Sequence, residues 1–161
     1  MTVAIYPGTF DPVHYGHIDI ARRAAGIFDK LVVAVYDRPQ KNLLFSVAER
    51  LVMLRDALCE VPNIEVQSYG GLTVSYARQQ GARVIVRGLR VITDFELEYQ
   101  MALATRKLDE EIDIVCLMTG LEYAFISSSI VKEIALAGGP VTQFVPAHVA
   151  EALRARLVAR S

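Results

Sequence analysis

Lys30-Leu31-Val32-Val33-Ala34-Val35-Tyr36 is a continuous apolar, β-branched run with no polar residue between its ends. A strand with one wet face alternates apolar and polar side chains. An unbroken run therefore belongs to a strand covered on both sides, as in a parallel sheet between two layers of helices. Four shorter strand candidates accompany it: Thr2 to Ile5, Ile64-Glu65-Val66, Arg83-Val84-Ile85-Val86-Arg87 and Ile112 to Met118.

Helix signals separate these runs. Ile18 to Ala25 follows the first, Ser46-Val47-Ala48-Glu49 fits a capping box opening a helix to Leu58, and Leu72 to Gln80 stops at Gly81. Thr93-Asp94-Phe95-Glu96 has the same capping-box pattern and opens a helix to about Leu108. Phe125-Ile126-Ser127-Ser128-Ser129 begins another that reaches Ala137, and Pro146 to Ala159 is an amphipathic segment with a basic end at Arg154, Arg156 and Arg160. Strand and helix alternate without an internal repeat, so the expected fold class is α/β. The expectation is one domain over residues 1–161, a doubly wound five-stranded parallel sheet with helices on both faces. The Thr93 helix has two apolar stripes, Phe95, Tyr99 and Ala102 on one and Leu97, Met101, Ala104 and Leu108 on the other, so one stripe is expected to meet another subunit.

A formal net charge of -1 excludes a general electrostatic grip on nucleic acid, so an anionic ligand has to be held locally. No apolar run is long enough to suggest a membrane span, and the N-terminus lacks a basic region followed by an apolar one. Cys59 and Cys116 have no metal-ligand spacing and read as small core thiols of a reduced, cytoplasmic protein.

In folds of this class ligands sit at the carboxyl ends of the strands, where the strand order reverses. That rule gathers the unusual residues at one edge: Thr9 to His17 after the first strand, Lys41 after the second, Thr73 after the third, Arg87 to Arg90 after the fourth, Tyr123 to Ser129 after the fifth. The stretch from Tyr6 to His17 is a glycine-bearing turn between strand and helix, which places backbone N–H groups and a helix N-terminus beside phosphate oxygens. Within it, His14 and His17 allow three readings: a metal pair, a ring that caps the turn, or two donors to phosphate. No third ligand stands at metal spacing, and donation to phosphate is preferred. Gly8, Gly16 and Gly26 form neither a Walker loop nor a dinucleotide fingerprint.

His14-Tyr15-Gly16-His17 and the serine-rich helix start at Ile126-Ser127-Ser128-Ser129 together resemble the two marks of the HxGH nucleotidyltransferase superfamily, whose fold is Rossmann-like. Tyr6-Pro7-Gly8-Thr9-Phe10-Asp11-Pro12, Arg87-Gly88-Leu89-Arg90 and Phe125 to Glu133 resemble, more narrowly, the bacterial phosphopantetheine adenylyltransferase family along nearly the whole chain. The resemblance implies transfer of AMP from ATP to 4′-phosphopantetheine, giving dephospho-coenzyme A and pyrophosphate, with Mg2+ bound alongside the ATP phosphates and a homohexameric assembly.

It also implies roles. His17, Lys41 and Arg90 would be catalytic, with His17 on the α-phosphate. Thr9 would stand between the substrates, Phe10 and His14 on the ATP side, and Lys41, Arg87 and the main chain of Thr73 on the pantetheine side. Gly88 and Leu89 would admit ATP to the backbone, Glu98 would contact the nucleotide, and Tyr123, Ala124, Phe125, Ile126 and Ser127 to Ser129 would complete the ATP site. Tyr123-Ala124 stands where relatives often carry Trp-Ser.

The chemistry agrees on independent grounds. A phosphate monoester is already an anionic nucleophile, so the barrier lies in aligning two polyanions and stabilising charge on the transferring group, work for cations and hydrogen-bond donors. The rivals are a related transferase acting on nicotinamide mononucleotide or, with CTP, on a polyol phosphate, and a non-catalytic nucleotide-binding module. Lys41, Arg87 and Arg90 exceed what holding ATP alone requires.

Overall fold

The computed structural model describes residues 1–39 and 42–158. Strands β1 (Val3–Gly8), β2 (Lys30–Tyr36), β3 (Ile64–Tyr69), β4 (Val84–Leu89) and β5 (Asp113–Met118) alternate with helices α1 (Tyr15–Ala25), α2 (Val47–Leu58), α3 (Thr73–Gln79) and α4 (Ile92–Leu108). A 3-10 turn at Leu121–Tyr123 leads to α5 (Ser128–Leu136), and α6 (Ala147–Val158) follows. The strands form one parallel sheet in the order β3-β2-β1-β4-β5, the doubly wound five-stranded arrangement expected.

The unbroken run in β2 is explained by its surroundings. Leu31, Val33 and Val35 pack into one core and Val32 and Ala34 into the other, so the strand has no wet side. The first core holds apolar faces of α1, α2, α5 and α6; the second is smaller and is covered mainly by α3. Each fully buried Val or Leu contributes about 1.5–3 kcal/mol, which makes β2 a strong anchor for the sheet.

Ser46 and Glu49 form the expected capping box, the Ser46 hydroxyl accepting from Glu49 N and the Glu49 carboxylate from Ser46 N. The Thr93 box does not form: α4 begins at Ile92 after Val91, and no side chain caps it. Asp94 is drawn back instead to Arg90, accepting from its backbone N–H at 2.9 Å and its Nε at 3.1 Å. Helix α4 also corrects the two-stripe reading. Its buried residues are Glu98 and Thr105, on a third face, while Phe95, Leu97, Tyr99, Met101 and Leu108 remain exposed. Both cysteines are exposed rather than core, because Cys59 lies just past the end of α2 and Cys116 lies on the edge strand β5.

The sheet opens where its order reverses. β1 pairs with β2 from Val3 to Gly8, but with β4 only at Ala4↔Val84 and Ile5↔Ile85. Beyond Ile5 the two strands part, and the gap between their carboxyl ends is the crevice that the strand-order rule selects.

Candidate active site

The crevice is a cleft of about 660 Å³ walled by the β1–α1 turn, the end of β4 and the start of α5. Helix α1 starts at Tyr15, so His14 is its N-cap and His17 lies in its first turn. His14 N donates to His17 Nδ1 at 3.2 Å, and His17 N donates to His14 Nδ1 at 3.4 Å. A ring that accepts at Nδ1 carries its proton on Nε2, so each imidazole caps the helix with one nitrogen and keeps an N–H donor on the other. The capping and donor readings are therefore compatible, and both residues line the cleft.

Both rings are neutral. Burial, and then the Arg90 charge, pushes His14 down from 6.5 to about 3. Burial first, then His14, Arg90 and Arg87, hold His17 well below its ordinary value. Gly16 fits between them because a Cβ there would lie 3.0 Å from the His14 ring. Its backbone N–H, near the start of α1, lacks an intrahelical acceptor.

Phe10, at a φ of 50°, packs its ring edge-on against His17 with centroids 4.9 Å apart. Gly8 leaves room for that ring: a Cβ at residue 8 would meet Phe10 Cζ at 2.8 Å. The Thr9 carbonyl accepts from Arg50 Nη1 at 2.7 Å, and the same nitrogen reaches the Tyr36 carbonyl at 3.0 Å. Arg50 is fully buried, with Nε and Nη2 unpartnered, and ties the ends of β1 and β2 together. Sequence reasoning missed it, although a charged residue in register with Met53, Leu54 and Leu58 on the core face of α2 was a usable signal.

Among the described residues three cations line the cleft, each joined to a carboxylate that also lines it. Lys132 Nζ lies 3.0 Å from Asp11 Oδ2, Arg90 Nε 3.1 Å from Asp94 Oδ2, and Arg87 Nη2 2.8 Å from Glu98 Oε1. Partial burial pushes the Asp94 carboxyl up, but the hydrogen bonds and charge of Arg90 outweigh it and lower its pKa. Burial likewise lowers Arg87, and Glu98 more than restores it. Glu98 Oε2 is buried without a partner. Asp11 and Lys132 were not among the expected site residues; their sequence signal was only a turn aspartate and a helix lysine.

The start of α5 supplies neutral donors. Ser127 caps the helix, its hydroxyl accepting from Ile130 N at 3.2 Å, which leaves its own proton free. Ser128 spends its hydroxyl on the Pro12 carbonyl at 2.9 Å, so it faces a ligand with its backbone N–H. Ser129, Ile126 and Tyr123 also line the cleft, as does Gly88. Leu89, Ala124 and Phe125 do not line it, and Phe125 is exposed. Lys41 lies outside the described residues.

A second pocket of about 270 Å³ opens from the same edge between α3 and α4. It is mainly apolar and is lined in part by Tyr69, Leu72, Met101 and Leu108. Thr73 stands there with its hydroxyl 3.0 Å from Tyr69 Oη. Gly8, Thr9, Arg87 and Glu98 line both pockets, so they mark the junction between a polar cleft and an apolar slot.

Among the described residues no group of three or more His, Cys, Asp or Glu is placed to hold a metal. The carboxylates of Asp11, Asp94 and Glu98 already engage cations.

The cytidylyltransferase-like family model matches residues 5–134. A phosphopantetheine adenylyltransferase of Chloroflexus aurantiacus is 52% identical over 160 residues, covering 99% of this chain and 99% of its own. One from Caldanaerobacter subterraneus is 52% identical over 153 residues, covering 95% and 96%. A solved Vibrio parahaemolyticus structure, provisionally named a nicotinate-nucleotide adenylyltransferase, shares the fold with a TM-score of 0.68 at 14% identity, covering 95% of this chain and 99% of that one. The chain belongs to the cytidylyltransferase-like family and, within it, to the phosphopantetheine adenylyltransferases.

Proposed function

We propose that this chain transfers AMP from ATP to 4′-phosphopantetheine. An oxygen of the acceptor phosphate attacks the α-phosphorus in line, the bond from that phosphorus to the bridging oxygen breaks, and pyrophosphate leaves. The products are pyrophosphate and dephospho-coenzyme A. The observation that carries this reading, beside the names of the relatives, is the junction of the two pockets at Thr9 and Arg87. A polar cleft suited to a triphosphate meets an apolar slot suited to an uncharged pantetheine arm, and the reacting phosphates would meet between them.

In this reading the Nε2–H of His17 donates to an α-phosphate oxygen as charge builds there, a neutral donor that needs no protonation at the moment of reaction. His14, Arg90 and the α5 N-terminus, with Ser127 to Ser129, hold the ATP phosphates. Arg87, Lys41 and Thr9 hold the acceptor phosphate, and Thr73 borders the pantetheine arm. Phe10 borders the His17 ring from the ATP side of the cleft, and Glu98 sets Arg87. Mg2+ would arrive on the ATP phosphates and offset their charge. Leu89, Ala124 and Phe125 lie away from the cleft lining and would serve ATP only through the backbone.

The exposed apolar face of α4, with Ile92, Phe95, Tyr99 and Leu103, supports assembly with further copies of the chain, for which we propose a homohexamer in the cytoplasm. Sedimentation would read the copy number, and a monomer at micromolar concentration would overturn it.

Timing pyrophosphate release tests the function. ATP with 4′-phosphopantetheine is expected to turn over, while ATP with nicotinamide mononucleotide and CTP with a polyol phosphate are not. Turnover with nicotinamide mononucleotide and none with 4′-phosphopantetheine would replace this reading.

A further inference from the structure

Arg50 is 0% exposed, on the core face of α2 beside Met53 and Leu54. Taking a guanidinium out of water is costly, and a carboxylate partner is the usual compensation. Here both hydrogen bonds come from Nη1 and end on neutral carbonyls, those of Thr9 and Tyr36. Asp11 and Asp37 act on it only as charges: burial pulls the Arg50 pKa down, and they oppose that without reversing it. Asp11 spends its own carboxylate on Leu44 N, Phe45 N and Lys132 Nζ. A neutral donor would join two carbonyls at lower cost, so the charge itself calls for a reason.

The Thr9 carbonyl belongs to the peptide unit that ends in the Phe10 N–H. A trans peptide is planar, so its C=O and N–H point to opposite sides. With the carbonyl turned to the buried Arg50 at 2.7 Å, the N–H is turned away from it. Thr9 and Phe10 both line the cleft, Thr9 at the junction with the apolar slot, and among the described residues no protein group accepts the Phe10 N–H. The same peptide adjoins a strained torsion, the Phe10 φ of 50°, which a residue other than glycine keeps only where its surroundings over-determine it. The Phe10 ring is fixed against Tyr6 and His17, with centroids 5.5 and 4.9 Å away, and the charge-assisted bond from Arg50 fixes the peptide on the other side of that torsion. A cation on the carbonyl oxygen also polarises the peptide and makes its N–H a stronger donor.

We propose that Arg50 is a positioning residue for the ATP phosphates: from beneath the β1–α1 turn it holds and polarises the Thr9–Phe10 peptide, so that the Phe10 N–H faces the cleft as a donor to a phosphate oxygen. This rests on the adenylyl-transfer reading. Arg50 lines neither pocket, so its effect on the reaction passes through the main chain.

Two variants separate charge from tethering: Arg50→Gln keeps a neutral donor, and Arg50→Lys keeps the charge. Full-length protein labelled with 15N-phenylalanine shows the amides of its six phenylalanines, and the signal lost in Phe10→Leu is that of Phe10. Adding ATP without acceptor is expected to move the Phe10 amide proton downfield in the unaltered protein and in Arg50→Lys, and by less than half as much in Arg50→Gln. In Arg50→Gln kcat is expected to fall about 100-fold with the ATP Kd changed less than about fivefold, the pattern of a misplaced transition-state contact. Arg50→Lys is expected to recover about tenfold of that loss without a higher Tm. No movement of the Phe10 amide in the unaltered protein would overturn the proposal. Equal kcat losses in both variants, in step with Tm, would overturn it too and leave Arg50 a structural tie. If Arg50→Gln does not fold, Arg50→Lys carries the comparison, and loss of its amide shift would overturn the proposal. Absence of turnover in the unaltered protein would remove the adenylyl-transfer reading itself, while the ATP-dependent amide shifts would still decide the role of Arg50.

Discussion

His14 and His17 cap one another: their rings stack with centroids 3.6 Å apart, and the Nδ1 of each accepts the backbone N–H of the other. One nitrogen of each ring is thus committed to holding the start of α1, and the other is left to face the cleft.

This division can be separated by substitution. In His17→Asn the side-chain oxygen can still accept from His14 N, whereas the Nε2–H donor is gone. Stability is expected to fall by no more than about 1 kcal/mol, the usual scale of a cap change. Turnover is expected to fall roughly 100- to 1000-fold, the cost of deleting one transition-state donor. Urea unfolding and initial rates of pyrophosphate release read the two effects, and parallel losses in ATP affinity and kcat would assign His17 to binding alone.

The neutral rings also fix the direction of a pH response. A histidine whose folded pKa lies below its unfolded one binds fewer protons folded than unfolded, so its stabilisation is fully present above about pH 6.5 and is lost as the pH falls toward about 3 for His14. The lowered pKa of His17 acts in the same direction. The unfolding midpoint is expected to drop over that interval, and His14→Asn is expected to flatten the drop. In the proposed role of His17 as a neutral donor, kcat is expected to show no loss between pH 6.5 and 8.5; a descending limb near 6.5 would show that the imidazolium is required.

Gly8 is linked to His17 through Phe10. Its absent side chain leaves space for the Phe10 ring, which in turn borders His17. Gly8→Ala puts a methyl group 2.8 Å from Phe10 Cζ, and the ring, which borders Tyr6 and His17, has to move. The expected cost is about 1–3 kcal/mol in stability, the range for overpacking a filled site. A fall in kcat larger than the rise in ATP Kd is expected with it. Gly8→Ala combined with Phe10→Leu, which shortens the intruding ring, is expected to recover stability without restoring kcat.

How much of this was legible follows from what is local. β2 was readable to its end residues because burial on both faces removes every polar side chain from the run, and the Ser46–Glu49 cap because both partners lie in one turn. The wall of the cleft was readable because the strand-order rule gathers the β1–α1 turn, the end of β4 and the start of α5 at one sheet edge. The Thr93 cap misled because Asp94 had a better partner in Arg90, whose backbone and side chain both reach it. Arg50, Asp11 and Lys132 were missed because each acts on a segment far along the chain, Arg50 on Thr9 and Lys132 on Asp11, and no short-range period records such a bond. The second pocket was invisible as a cavity, although Thr73 was placed at its edge by strand order.

Arg87 and Glu98 give a test that separates pairing from substrate binding. Glu98 is nearly buried and, among the described residues, its ion-pair partner is Arg87, whose Nη1 also reaches the Pro7 carbonyl at 3.2 Å across the parted strands. Arg87→Met leaves a buried carboxylate uncompensated, and a loss of roughly 2 kcal/mol is expected, below the full range for a buried pair because the arginine is partly solvated. Arg87→Met with Glu98→Met removes both charges and is expected to recover at least half of that loss, since no unpaired group remains. Acceptor affinity behaves differently. In the proposed role of Arg87 it depends on the guanidinium itself, so it is expected to stay low in both proteins. Glu98→Gln keeps a hydrogen-bond acceptor for Arg87 but frees it from ion pairing, and is expected to retain most acceptor affinity. Recovery of acceptor KM in the double variant would show that Arg87 serves only to neutralise Glu98.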